Sequence, residues 1–232
     1  MRLPPLKKAV ICQRTNRFCV GGLGEDGRPV YLHLPNSGRL AELIASGREG
    51  WYIPFGNRQG KKTTGRLVLV RSGEGNLVCI DAARANDIVH EAILQGIIEK
   101  LRGYERIVRE YTVGKSRFDI CMFKGKKRCL VEVKSVTLVE DGAALFPDAP
   151  TLRGLKHLEE LSRLMDAETK AAVLFVIQRD DALRFTPNYR THRDFGEKLK
   201  EAGRRGVSVQ AWDCRVTMDE VVLRRPMEVV LI

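Results

Sequence analysis

Apolar and polar positions along the 232-residue chain fall into two regimes. Up to about residue 82, short apolar runs are broken repeatedly by Gly, Pro and Asn. The pattern predicts strands over 18–23, 30–34, 51–54, 67–71 and 77–80, separated by turn signals such as Glu25-Asp26-Gly27 and Pro35-Asn36-Ser37-Gly38. One short helix fits at 39–45, ending before Gly47. Five short strands with one interposed helix predict a small Greek-key barrel of the OB type, although another small β-barrel or a sandwich would give the same string.

From Ala85 onward, helical and extended patterns alternate. A helix is predicted over 86–101 with Asn86 or Asp87 as N-cap, followed by strands over 107–113, 117–123 and 129–133. The last two are joined by Lys124-Gly125-Lys126-Lys127, which reads as an antiparallel hairpin. A second helix spans 152–165, with Leu155, Leu158, Leu161 and Met165 on one arc and Lys156, Glu159, Glu160 and Arg163 opposite. The unbroken apolar run 171–177 predicts a strand buried on both faces, and a helix at 194–204 and a strand at 207–212 follow. The expected architecture is an α+β chain of two domains, a barrel over 1–82 and a mixed α/β sheet with helices on its faces over 83–232.

Composition narrows the class. Apolar residues make up 44% and charged residues 30%, as in soluble globular proteins. The longest apolar run has seven residues against the roughly 18 needed for a membrane span, and the N-terminus lacks the apolar core of a secretory signal. No membrane association and a cytoplasmic location are therefore expected. Lys and Arg number 40 against 29 for Asp and Glu, a net charge of +11 that favours a polyanionic partner. The excess is concentrated in residues 1–82, with 13 Lys and Arg against 6 Asp and Glu. There Arg14, Arg17, Arg39, Lys61, Lys62 and Arg66 are candidates to track phosphates, with Tyr31, Trp51, Tyr52 or Phe55 to stack bases; the alternatives are a solvated surface and, for Trp51, a core position. The six cysteines form no Cys-x-x-Cys pair, which argues against a zinc ribbon and for buried, reduced thiols.

One segment carries chemistry. In Cys129-Leu130-Val131-Glu132-Val133-Lys134-Ser135, strand alternation puts Glu132 and Lys134 on one face and Val131 and Val133 on the other. If the preceding strand pairs through the lysine-rich turn, Asp119 joins them. Two hard carboxylates and a lysine suffice for metal-dependent phosphodiester hydrolysis: Mg²⁺ or Mn²⁺ suits the oxygen ligands, and the lysine positions the nucleophile and balances charge. The competing reading is an ordinary ion pair on the polar face of a sheet.

The run Val131-Glu132-Val133-Lys134-Ser135-Val136-Thr137-Leu138-Val139-Glu140-Asp141-Gly142, with Leu145-Phe146-Pro147-Asp148-Ala149-Pro150-Thr151, Arg153-Gly154 and His157-Leu158-Glu159-Glu160-Leu161, resembles the sugar fermentation stimulation protein family. The likeness extends to Pro35-Asn36-Ser37-Gly38-Arg39, Ala85-Asn86 and Val173-Leu174-Phe175-Val176-Ile177-Gln178-Arg179. It implies an N-terminal OB-fold domain, a C-terminal domain like the PD-(D/E)xK nucleases, DNA binding, and a regulatory link to sugar metabolism. The nuclease-like motif then falls on Asp119, Glu132 and Lys134, with Phe118 where the motif has proline.

Such enzymes often take a further acidic residue from the first core helix, here Glu91, although Glu91, Gln95 and Glu99 recur as on a solvated helix face. Gln178 is a candidate polar group at a strand end. Asp141 and Asp148 are turn residues or order a loop facing the substrate. Arg153, Lys156 and His157 open a helix where charge and N-terminus together suit phosphate. Two functions remain open, a metal-dependent DNA nuclease and a non-catalytic DNA-binding regulator, with RNA a weaker alternative to DNA. No helix-turn-helix or zinc-finger signature places a base-reading helix, and homo-oligomerisation is compatible with the sequence without being specified by it.

Overall fold

The computed structural model describes residues 1–56 and 62–231. Strands β1 (Lys7–Asn16), β2 (Cys19–Gly24), β3 (Pro29–His33), β4 (Glu49–Pro54) and β5 (Gly65–Arg71) form a barrel: β1 pairs antiparallel with both β2 and β4, and a parallel β3–β5 pairing closes it. Ile11, Val20, Leu32, Leu34, Leu43 and Leu67 fill its interior. Where β4 meets β5, a side-chain carbon on Gly65 would lie 2.4 Å from the Tyr52 ring, so no other residue fits without displacement.

Two expectations for this region need correction. The strand β1 was not foreseen, because only Ala9 and Ile11 turn inward while Lys7, Val10, Cys12 and Arg14 face outward or lie at the surface. The predicted helix at 39–45 is instead a single turn, with the Leu43 and Ile44 amides both donating to the Leu40 carbonyl. Leu40 buries its side chain in the barrel at φ +51°, and its amide donates to Asp148 Oδ2, a contact 108 residues distant that local pattern cannot anticipate.

A short β6 (Leu77–Cys79) lines up on β5 and leads into α1 (Arg84–Leu94), which stops where Gly96 takes φ +68°, well before the expected end at 101. Its N-cap is Ala83 rather than Asn86 or Asp87, and the Ala83 amide donates to Asp81 Oδ1. Then come β7 (Arg106–Val113), β8 (Ser116–Lys124), β9 (Lys127–Val136), β10 (Leu138–Glu140), β11 (Ala143–Phe146), α2 (Leu152–Leu164), β12 (Thr169–Ile177), β13 (Arg184–Pro187), α3 (Arg193–Arg204), β14 (Ser208–Val216) and β15 (Val221–Val229).

The nine strands form one mixed sheet in the order β10-β11-β13-β15-β14-β12-β9-β8-β7. The apolar run in β12 lies parallel between β9 and β14 and is buried throughout, as its lack of alternation predicts. Helix α1 covers one face through Ile88, Val89 and Ala92; α2 and α3 cover the other through Leu158, Leu161, Phe195 and Leu199. The short strands β10, β11 and β13 and the Arg- and Pro-containing β15 were missed, since each is specified by its neighbour rather than by its own residues.

Barrel and sheet share a core: Trp51, Val68, Leu69 and Cys79 pack with Ala85, Ile88 and Val89. At this junction the Cys79 amide donates to the Gln178 carbonyl at 2.9 Å, and Gln178 Nε2 donates to the carbonyls of Cys79 and Asp81 at 2.6 and 3.2 Å. Among the described residues no helix is long and apolar enough to cross a membrane.

Four thiols lie in these cores. Burial, followed by the Asp81 charge, pushes Cys79 up to about 12; burial pushes Cys121 and Cys129 up to about 11; Cys214 is buried as well. Cys12 is exposed and Cys19 half-buried. Because the thiolate is the reactive form, a thiol reagent at mildly alkaline pH is expected to label only Cys12 and Cys19 in the native protein and all six in denaturant. Peptide mapping of the adducts checks this, and rapid native labelling of Cys79 or Cys129 would contradict it.

Candidate active site

The ladder between β8 and β9 runs from Lys124↔Lys127 to Ile120↔Val131 and then ends, so the strands diverge just where Asp119 and Glu132 face each other. The Val133 amide, freed from the ladder, donates to Asp119 Oδ2 at 2.8 Å. Asn86, from the first turn of α1, donates through Nδ2 to Asp119 Oδ1 at 2.8 Å. On β9, Glu132 is only 3% exposed. Its Oε1 takes Lys134 Nζ at 2.5 Å and also His157 Nδ1, which must carry the proton against an accepting carboxylate. Its Oε2 is buried without a hydrogen-bond partner.

The two carboxyls are biased in opposite directions. Burial, then the charge of Glu132, raises Asp119 above the ordinary carboxylate range, outweighing the Val133 amide, Lys134 and Asn86. Burial pushes Glu132 upward too, but the His157 hydrogen bond and the Lys134 charge overcome it and hold Glu132 below that range. Glu132 is therefore a fixed anion with one oxygen committed and one uncommitted.

This cluster opens into a cleft of about 580 Å³ between the two domains. Asn36 and Gly38 of the barrel form one wall with Arg17; Phe146, Asp148 and Arg153 form the other. The structure thus brings together Asp119, Glu132 and Lys134, with Arg17 and Arg153 on the rim. Asp148 bridges the walls through its bond to the Leu40 amide, while Asp141 occupies a turn at φ +49°.

Other sequence candidates lie elsewhere. Glu91 binds the N-terminal ammonium at 2.5 Å and does not line the cleft; α1 presents the amide Asn86 there instead. His157, expected to meet phosphate, is buried against Glu132, because it shares the inward stripe of α2 with Gly154, Leu158 and Leu161. Lys156 remains exposed. Arg66 is held by Asp81 through two bonds of 2.6 Å, and Gln178 belongs to the domain junction. Arg14 directs its guanidinium to the carbonyls of Arg17, Gly38 and Arg39, fixing the β1–β2 turn rather than facing outward. Arg39 and Lys62 are exposed, and Lys61 lies outside the described residues.

Trp51 and Tyr52 are core residues and Phe55 is half-buried, leaving Tyr31 exposed. Phe18, not anticipated, is exposed beside the Arg17 guanidinium at 5.3 Å. Asn86 was also missed as a site residue, and His157 was expected at phosphate rather than as the partner of Glu132. The available signal was a histidine inside the apolar stripe of an otherwise regular amphipathic helix.

Among the described residues, no three His, Cys, Asp or Glu side chains form a metal cage. A hard divalent cation that keeps several waters needs fewer protein ligands. Asp119 and the uncommitted Glu132 Oε2 fit that requirement.

A closed five-stranded OB barrel, joined to a mixed sheet carrying Asp119 and Glu132-Val133-Lys134 on adjacent strands, defines a two-domain α+β protein. The model of the sugar fermentation stimulation protein RE domain matches residues 83–220, and that of the SfsA N-terminal OB domain matches 12–80. The chain belongs to the sugar fermentation stimulation protein family. A sugar fermentation stimulation protein homolog of Caldanaerobacter subterraneus subsp. tengcongensis is 40% identical over 98% of both chains. A homolog from Acetivibrio thermocellus is 42% identical over 93% of this chain and 91% of its own. The solved structure of Pyrococcus furiosus SfsA in complex with Ca²⁺ superposes with a TM-score of 0.86 at 29% identity, covering 99% of this chain and 98% of that one.

Proposed function

We propose that this protein is a divalent-metal-dependent nuclease that hydrolyses phosphodiester bonds in DNA, with Asp119 and Glu132 as ligands of Mg²⁺ or Mn²⁺. The observation that carries the reading is Glu132 Oε2, a buried anionic oxygen without a donor, beside a carboxyl that its charge already raises. A buried carboxylate oxygen left unmatched is costly unless something completes it. A bound cation would polarise the scissile phosphate and lower the pKa of a coordinated water. The Pyrococcus relative's complex with Ca²⁺, another hard oxygen-seeking cation, supports this choice of ligand.

The chain's own groups supply the rest. His157 and Lys134 fix Glu132 through Oε1, leaving Oε2 free. Lys134 Nζ lies at the cleft wall, where it can orient water and offset charge on the phosphate. Arg17 and Arg153 offer cations for the flanking phosphates. One observation favours the non-catalytic alternative: Lys134 is already paired with Glu132, as in a structural ion pair.

Incubating the protein with single-stranded, duplex and branched DNA under Mg²⁺, Mn²⁺ or EDTA, beside a Glu132→Ala, Lys134→Ala double variant, separates the readings. Metal-dependent cleavage is expected from the parent protein alone, with DNA binding retained by the variant. Salt-sensitive binding without turnover under any metal would leave the regulator, and stronger binding of matched RNA would redirect the substrate.

A further inference from the structure

The opposite end of the β8–β9 hairpin from the cleft carries a second feature. A hollow of about 690 Å³ lies between the turn at 124–127, the segment at 100–104 and the start of β12. Lys100, Lys124, Lys126, Lys127 and Lys170 border it, with Arg128 bonded to Thr169 Oγ1 at 3.0 Å; the exposed Glu168 is its only acidic lining residue among those described. Among the described residues none of these five lysines makes an ion pair. Elsewhere on the surface, Arg109, Arg117 and Arg215 each have a carboxylate within 2.6 to 2.9 Å. Unmatched like charges around one concavity repel one another, and a row of phosphates relieves that repulsion.

The occupant can be narrowed further. A membrane-docking surface needs an apolar face beside its cations, and none of the exposed large apolar side chains (Val10, Phe18, Leu23, Tyr31, Leu94, Leu152, Leu183 and Met218) borders this hollow. Five residues of strand separate Asp119 from Lys124 and Lys127 from Glu132, roughly 17 Å at ~3.4 Å per residue. That span is about five phosphate steps of one DNA strand.

We propose that the lysine-bordered hollow at the β8–β9 turn is a second nucleic-acid backbone contact, separate from the cleft. It rests on the reading of the protein as DNA-binding and does not depend on catalysis. It engages phosphates through charge, without reading sequence, and holds DNA that extends beyond the cleft.

The test is the salt dependence of affinity for a duplex of about 30 base pairs, measured by fluorescence anisotropy on the full chain. A Lys124→Gln, Lys126→Gln, Lys127→Gln variant is compared with the matching Lys→Arg triple, and both are checked by thermal unfolding. The Gln triple should show a log-affinity against log-salt slope shallower by about 2 to 3 and an affinity about 100-fold weaker near 0.1 M salt. The Arg triple should match the parent protein.

An unchanged slope in the Gln triple overturns the contact while leaving the nuclease reading intact. Equal losses in both triples overturn it as well, and so does dependence on these lysines for binding phosphatidylserine vesicles but not DNA. A parent protein that binds but never cleaves, with the slope reduced in the Gln triple, removes the nuclease and leaves the second contact standing.

Discussion

An Asp119→Asn variant is expected to lose metal-dependent cleavage by more than about 100-fold and, at neutral pH, to unfold at a higher denaturant concentration than the parent protein. The activity loss should exceed the 10- to 100-fold typical of removing an outer partner of a metal ligand, since under the proposed function the ligand itself is neutralised. The stability gain follows from the sign of the perturbation. Burial and the neighbouring Glu132 charge raise Asp119, so ionising it in the folded protein costs stability above that raised value.

Asparagine carries no charge at any pH. Its amide oxygen keeps the Val133 amide, and a flipped Asn86 can accept from its nitrogen. The difference between variant and parent should therefore be greatest near neutrality and fade as pH falls through the raised Asp119 value. Glu132 behaves oppositely: its contribution is present above the unfolded value, about 4.3, and is lost as pH falls through its lower folded value. Urea midpoints across acidic to neutral pH, beside cleavage rates, check both parts. An Asp119→Asn protein less stable at neutrality would identify the carboxylate as a structural partner of Lys134, since functional carboxylates are typically held at some cost to stability.

Replacing Asp81 by Ala is expected to lower stability by about 3 kcal/mol, the lower end of the range for breaking a buried ion pair, because Arg66 keeps partial access to water. Asp81 is fully buried at the domain junction. It accepts Arg66 Nε and Nη2 at 2.6 Å each and the Ala83 amide at 3.2 Å, and it forms an ion pair with Arg84 at 3.3 Å without a hydrogen bond from Arg84 Nε. Removing the carboxylate leaves two guanidinium groups uncompensated at the point where the barrel is locked to α1, and the cleft walls should lose their alignment together with the stability. Urea unfolding measures the first effect and residual cleavage the second. A loss below about 1 kcal/mol, the scale of an exposed pair, would show that Arg66 solvates itself. Arg66 would then be free for the phosphate contact that its position in a basic domain suggested.

The cores of the two domains and the site differ in how far they were legible. Period-2 alternation placed Glu132 and Lys134 on one face of β9, and the turn at 124–127 placed Asp119 on the strand beside them, because strand geometry and hairpin pairing act over a few residues. The unbroken run in β12 specified its own central position, since only a strand covered on both faces tolerates such apolarity. Local pattern misled at 39–45, where Leu40 serves the barrel core and Asp148 at once, and at Arg66 and His157, where residues typical of a phosphate surface turn inward to meet a buried carboxylate. It failed also for β1 and β13, each of which pairs with a strand distant in the chain, β4 and β11, and for β15, where Arg224-Arg225-Pro226 break the pattern although the strand pairs with the adjacent β14.

The sequence by itself thus determined the three helices and the strands β7, β8, β9, β12 and β14 around the second core, the basic charge and the residue types of the trio, all consequences of short-range periodicity and composition. The tertiary structure alone decided that the hairpin ladder ends at Asp119, that Asn86 rather than Glu91 faces it, and that His157 leaves one oxygen of Glu132 unmatched. Those outcomes depend on which segments pack together, and burial and hydrogen bonding across long chain separations carry no local signature.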